Sequence, residues 1–152
     1  MTRRRAESIH LTSSAGTFII RDQKPMSDQK LEACLTDMAV PDWYRTLNSR
    51  VFLWAGIERV ERLLAARQYR NSAHLVLTID TKKLVEKYQD KLELSPINSG
   101  STLFNPARRG PGTFLRLSDH PADTKVVEVT VKYSIPEIKD SIDSHEVIEP
   151  KA

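Results

Sequence analysis

The chain has a single cysteine, Cys34, among its 152 residues. That excludes an intrachain disulfide and any cysteine-based zinc site. No apolar run approaches the length that spans a bilayer, so no membrane partner is expected. The start, Met1 to His10, is basic but has no apolar stretch behind it, which excludes a secretory signal there. There is no G-x-G-x-x-G, no Walker loop and no H-E-x-x-H, so the common nucleotide and metal fingerprints are absent. Internal repeats and low-complexity stretches are missing too. These absences together predict a cytoplasmic protein.

What remains is an ordinary globular composition. Hydrophobic residues make up 39% and charged residues 28%, enough apolar material for one core. The expected layout is a basic, flexible arm over 1–14, a single α+β domain over 15–148 and a flexible tail over 149–152. The net charge is +3. Arg3, Arg4 and Arg5 form one cluster, and Arg108 and Arg109 form another beside Pro106, Gly110, Pro111 and Gly112. Either cluster could meet phosphate groups; the alternative is a solvated tail and a solvated loop.

Patterning supplies the elements. Thr17 to Arg21 reads as a short strand, broken before Pro25. Ser27 can cap a helix with Leu31, Cys34, Leu35 and Met38 on one stripe. Pro41 and Asp42 open a turn or short helix carrying Trp43, Tyr44 and Leu47. Arg50 to Trp54 is apolar on both faces and reads as an interior strand. Ile57, Val60, Leu63 and Leu64 then share one helix face. Ala73 to Asp80 is the next strand, followed by a helix from Lys82 to Tyr88, capped by Asp80 or Thr81. Leu92 to Leu94 is a short strand. Ser95 to Pro111 is a connection long enough to suggest function. Thr113 to Leu117 and Val126 to Tyr133 are strands, and Pro136 to Val147 adds a small helix or edge strand. The sum is an α+β layout of five or six strands and about three helices, mixed but not strictly alternating.

Glu128 is the residue most suggestive of chemistry. In K-V-V-E-V-T-V-K-Y, alternation puts Val127, Val129, Val131 and Tyr133 in the core. Val126, Glu128, Thr130 and Lys132 take the other face. A carboxylate there either faces solvent, paired with Lys125 or Lys132, or lines a groove where it could stabilise a cationic transition state. His10, His74, His120 and His145 match no metal-site spacing, and His74 reads as a structural hydrogen bonder. Ser99-Gly100-Ser101 lacks the strand–turn–helix setting of a nucleophile. Cys34 reads as packed rather than reactive. Trp43, Tyr44, Arg45, Arg50, Phe52 and Trp54 could stack on a base or nicotinamide ring, or simply fill a core.

Four segments carry a resemblance: I-R-D-Q-K-P-M from Ile20, D-W-Y-R-T-L-N-S-R-V-F-L-W from Asp42, S-P-I-N-S-G-S-T from Ser95 and V-V-E-V-T-V from Val126. They resemble an uncharacterised bacterial domain family over about Ile20 to Val147. That family is distantly similar to the ADP-ribosyltransferase superfamily, in its DNA-modifying toxin and RNA 2′-phosphotransferase branches. The resemblance implies a split, twisted, mainly antiparallel sheet core that forms an NAD-binding cleft, with Arg50 to Trp54 as its middle strand and Glu128 as the catalytic carboxylate. Phe52 and Trp54 would line the cleft, and Arg21 or Arg50 would contact the NAD phosphates. Asn98, Ser99, Arg108 and Arg109 would lie on the substrate-facing loop. Fuller members begin with a segment resembling L-Y-H-M-T … G-L-L-S that supplies an early histidine. This chain is expected to start after it, and His10 does not replace it.

Three functions follow. The first is an NAD-dependent transferase acting on nucleic acid or protein. The second is a non-catalytic module that binds a nucleotide, a nucleic acid or a partner. The third is an oligomerising remnant or toxin–antitoxin component that forms a homodimer through an exposed sheet edge.

Overall fold

A computed structural model describes residues 2–14 and 16–150. Met1 of the expected arm, Ala15 at the expected domain start, and Lys151 and Ala152 of the expected tail lie outside the described residues. The fold is α+β, and chain packing divides it into two compact units. One comprises Met1–Ser49 with Ile97–Phe114, the other Arg50–Pro96 with Leu115–Ala152.

The first unit opens with an antiparallel hairpin, β1 (Ile9–Ser13) and β2 (Gly16–Ile20). β1 falls inside the stretch expected to be a flexible arm. Its I-H-L-T-S alternation pairs Ile9 with Ile20 and Leu11 with Phe18. Gly16 takes φ 126°, a conformation that glycine adopts without a Cβ clash. Two arginines of the basic cluster are also engaged. Arg4 donates to the Met26 carbonyl at 2.8 Å, and Arg5 reaches the Arg21 carbonyl and Asn48 Oδ1 at 2.9 and 2.6 Å.

Helix α1 (Asp28–Cys34) is capped by Ser27, which accepts from the Lys30 amide. It stops at Cys34, short of Met38, because Leu35 is extended. Leu35 forms a parallel bridge with Arg109, whose backbone exchanges hydrogen bonds with Cys34 and Thr36. Cys34 is packed as expected, 5% exposed. Helix α2 (Val40–Asn48) carries Pro41 in its first turn, where a missing amide hydrogen leaves no intrahelical bond unmade. Its stripe of Trp43, Tyr44 and Leu47 is buried with Met26, Leu31 and Phe114 in one core.

The second unit holds β3 (Arg50–Trp54), α3 (Ile57–Ala65), β4 (His74–Ile79), α4 (Thr81–Tyr88), β5 (Leu92–Ser95), β6 (Leu115–Arg116), β7 (Glu128–Lys132) and β8 (Ile142–Ile148). Four strands form an antiparallel sheet in the order β3-β7-β5-β6, and β4 pairs with β8. Leu84, Leu92, Leu94, Val131 and Ile135 form its core. Asp80 caps α4, accepting from the Lys83 amide at 3.1 Å.

Three expectations change. β3 is an edge strand of the described sheet rather than an interior one, and its Phe52 is 37% exposed. Tyr133 is 75% exposed instead of packed. Its φ of 67° turns the chain out of the strand after Lys132, which ends the alternation there. Four α-helices and eight strands are seen among the described residues, the surplus being the short and terminal strands and α2.

Candidate functional site

β7 sits between β3 and β5, so its side chains have neighbours on both sides. The register aligns Trp54, Glu128 and Ser95 in one row and Phe52, Thr130 and Glu93 in the next. Arg50 faces Lys132 one row further. Directly opposed residues project to the same face, and the side-chain period is two. All eight residues therefore share one face. The opposite face carries Val51, Leu53, Leu94, Val129 and Val131 and joins the apolar core.

The middle of this face is buried. Glu128 is 4% exposed, Glu93 7%, and Ser95 and Thr130 are fully buried. This settles one alternative for Glu128: it does not face solvent. Nor do the lysines act as expected, for Lys125 reaches Glu58 at 3.6 Å and Lys132 reaches Glu93 at 2.7 Å.

Glu93 organises the buried charge. Its Oε2 is 2.6 Å from Arg50 Nη2, and its Oε1 is 2.7 Å from Lys132 Nζ. Each carboxylate oxygen thus has its own cation, the arrangement that makes a buried acid tolerable. Thr130 Oγ1 donates to the Glu93 carbonyl at 3.1 Å and ties β7 to β5. The sequence reading missed Glu93. Its signal, alternation in L-E-L-S, gives the face but not the burial.

Arg50, Phe52, Trp54 and Glu128 are thus brought onto one face. The other expected site residues belong to the first unit. Ser99 is fully buried and Arg109 is 3% exposed, while Asn98 and Arg108 are exposed. Arg109 is no solvated loop residue. Its Nη1 donates to the Ser99 and Ser101 carbonyls at 2.9 and 3.0 Å, and its Nε to Ala107 at 3.0 Å. Its guanidinium lies 5.8 Å from the Trp43 ring centroid, and Trp43 stacks on Phe114 at 5.8 Å. Gly110 follows, so close to the Thr36 carbonyl that a Cβ would lie 2.3 Å from its oxygen. Arg21 contributes its carbonyl to Arg5.

Two groups of the first unit have shifted ionisation. Burial raises the Tyr44 phenol, and its bond to Asp28 Oδ1 at 2.6 Å adds to the shift. The Lys24 amide, 3.0 Å from Asp22 Oδ1, lowers the Asp22 carboxyl. No three His, Cys, Asp or Glu side chains cluster to hold a metal ion among the described residues. None of the described helices is long and apolar enough to cross a membrane.

The fold and site define a mixed α+β protein with a buried acidic face on the middle of an antiparallel sheet. The chain belongs to a family of unknown function, DUF7002, whose model matches residues 1–142. The match begins ahead of Ile20, where the sequence resemblance was expected to start. No curated protein and no solved structure matches the chain.

Proposed function

We propose that the second unit is an ADP-ribosyltransferase-like domain that binds NAD against Glu128. The supporting observation is the row Trp54–Glu128–Ser95: a carboxylate 4% exposed, in register with an indole and a hydroxyl. A carboxylate held in such a low-dielectric setting can accept a hydrogen bond from a ribose hydroxyl. It also stabilises positive charge developing beside it more strongly than it would in water. Trp54 and Phe52 offer flat apolar faces suited to a planar ring. Arg50 fits the expected phosphate contact poorly, because its guanidinium is held by Glu93. NAD, when bound, would supply the ADP-ribosyl group for transfer to a nucleic acid or protein acceptor.

The test is calorimetry and thermal shift with NAD, on the wild type and on Glu128→Gln. Saturating ligand at a hundredfold excess over Kd stabilises a protein by about 2.7 kcal/mol. The wild type is expected to respond and the variant to lose most of that response. A wild type indifferent to NAD, or a variant that responds equally, defeats the reading.

A second reading is supported by the first unit. It carries nine Lys and Arg against six Asp and Glu, whereas the second unit carries fourteen of each. All of the net positive charge is therefore in the first unit. Phe104 is 92% exposed at φ 51°, four residues before the exposed Arg108. An exposed aromatic beside a cationic side chain suits stacking on a single-stranded nucleic acid. Affinity for such a strand should fall steeply with added salt and weaken in Phe104→Ala; a flat salt response counts against it.

A further inference from the structure

Helix α3 leaves the second unit open. Its stripe of Ile57, Val60, Leu63 and Leu64 has helical spacing, yet none of its residues is buried. The stripe lines a cavity of about 810 Å³. The opposite wall includes Leu75 and Leu77 of β4, 61% and 39% exposed, and Ile57 itself is 59% exposed. Small-molecule sites commonly enclose roughly 300–1,000 Å³.

A second cavity, about 740 Å³, shares Leu64, Tyr69 and His74 with the first. Its remaining lining mixes charged side chains, Glu58, Glu61, Arg62, Arg70 and Glu149, with Ala65, Ser72 and Ile148. The two compartments thus meet at His74, and only the second is ringed by charged side chains. There His74 Nε2 lies 2.8 Å from the Tyr69 carbonyl oxygen, which can only accept. Nε2 therefore carries a proton. In the neutral ring this leaves Nδ1 as an acceptor, and the His74 side chain makes no other hydrogen bond among the described residues.

We infer that this cleft binds a small amphiphile with an apolar body and a head that donates a hydrogen bond, an alcohol or an amine. The body completes the burial that α3 and β4 leave unfinished, and the head meets His74 where the compartments join. Glu58 is paired with Lys125 at 3.6 Å, which leaves Glu61 and Glu149 to favour an ammonium and Arg62 and Arg70 to oppose it, so the charges in the second compartment do not select between the two heads. This site goes beyond the NAD reading. Neither Glu128 nor Arg50 lines either cavity, although Phe52 and Trp54 border the first.

The experiment is calorimetry of the full chain with octanol, octylamine and octanoate below their micellar concentrations. Octanol or octylamine is expected to bind saturably, one per chain, and octanoate more weakly. Leu75→Glu and Ile57→Glu, at exposed positions that tolerate charge in the fold, should each weaken binding by about tenfold or more. His74→Phe keeps the ring and should cost octanol about fivefold while erasing its advantage over octanoate. Glu128→Gln should leave octanol binding unchanged, which separates this site from the NAD reading. Absence of saturable binding, equal binding of octanoate, or indifference to both glutamate substitutions overturns the proposal. So does a wild-type dimer that Leu75→Glu converts to monomer, for then a second copy covers the face.

Discussion

Helices α2 and α3 are both nine residues long and both carry an apolar stripe at helical spacing. α2 buries Trp43, Tyr44 and Leu47, whereas α3 buries nothing. Periodicity therefore fixes which side of a helix turns inward, and the chain opposite decides whether that side is closed. In the first unit the opposite side is Met26, Leu31 and Phe114, with the Arg109 guanidinium lying over Trp43. In the second it is a cavity.

That contrast is tested most strongly by truncating one residue from each stripe. Trp43→Ala removes a fully buried aromatic and its stack on Phe114, and should destabilise by about 3–5 kcal/mol. Leu63→Ala, at a half-buried position facing open space, should cost no more than about 1.5 kcal/mol. Equal losses in denaturant unfolding would mean that the two stripes are equally packed, and the comparison would fail.

The second unit is not loose throughout. Glu93 has a cation on each oxygen, and removing its charge leaves Arg50 buried against a neutral amide. Glu93→Gln should destabilise by about 3 kcal/mol. Glu58→Gln, which loosens an exposed pair with Lys125, should leave the unfolding midpoint where it is in the wild type. A mild Glu93→Gln would show that the sheet's polar face is wetter than its burial implies.

Arg108 and Arg109 make the same point in the first unit on a smaller scale. Arg109→Ala strips donors from the Ser99, Ser101 and Ala107 carbonyls and should cost about 2 kcal/mol. Arg108→Ala should lie within about 0.5 kcal/mol of the wild type. Thermal unfolding of the two variants side by side measures the difference.

This pair also shows how far the sequence could be read. Most elements of the second unit were legible because short-range patterning specifies them: period two in V-V-E-V-T-V, period 3.6 from Ile57, and an Asp80 cap. The fate of neighbouring charged residues was not. Arg108 and Arg109 are identical in type, and what separates them is tertiary: the Ser99, Ser101 and Ala107 carbonyls and the Trp43 ring all meet Arg109. Glu128 was found because a lone acid in a valine-rich strand breaks the pattern. Glu93 instead fits the alternation of its L-E-L-S, and a four-residue strand offers too little context to tell a buried acid from a solvated one. Tyr133 was misread because alternation was carried one residue past the point where φ changes sign.

The smallest expected effect is on pH dependence, and it separates the units again. The shifted groups of the second unit, Glu58, Lys87 and Asp140, sit on its surface, where solvent screens them. In the first unit Asp22 is 8% exposed and Tyr44 fully buried. The Asp22 carboxyl is lowered in the folded state, chiefly by the Lys24 amide. Its stabilising contribution is complete above the ordinary carboxylate range and is lost as pH falls through the folded value. Tyr44 is raised, chiefly by burial, so above about pH 10 the unfolded chain gives up a proton that the folded chain keeps. Stability must then fall as pH rises. Asp22→Asn should flatten the acid side of a stability–pH curve, and Tyr44→Phe the alkaline side. Lys87→Gln should alter neither side by a measurable amount. A curve reshaped by Lys87→Gln but indifferent to Asp22→Asn and Tyr44→Phe would place the effective charges in the second unit and reverse the assignment.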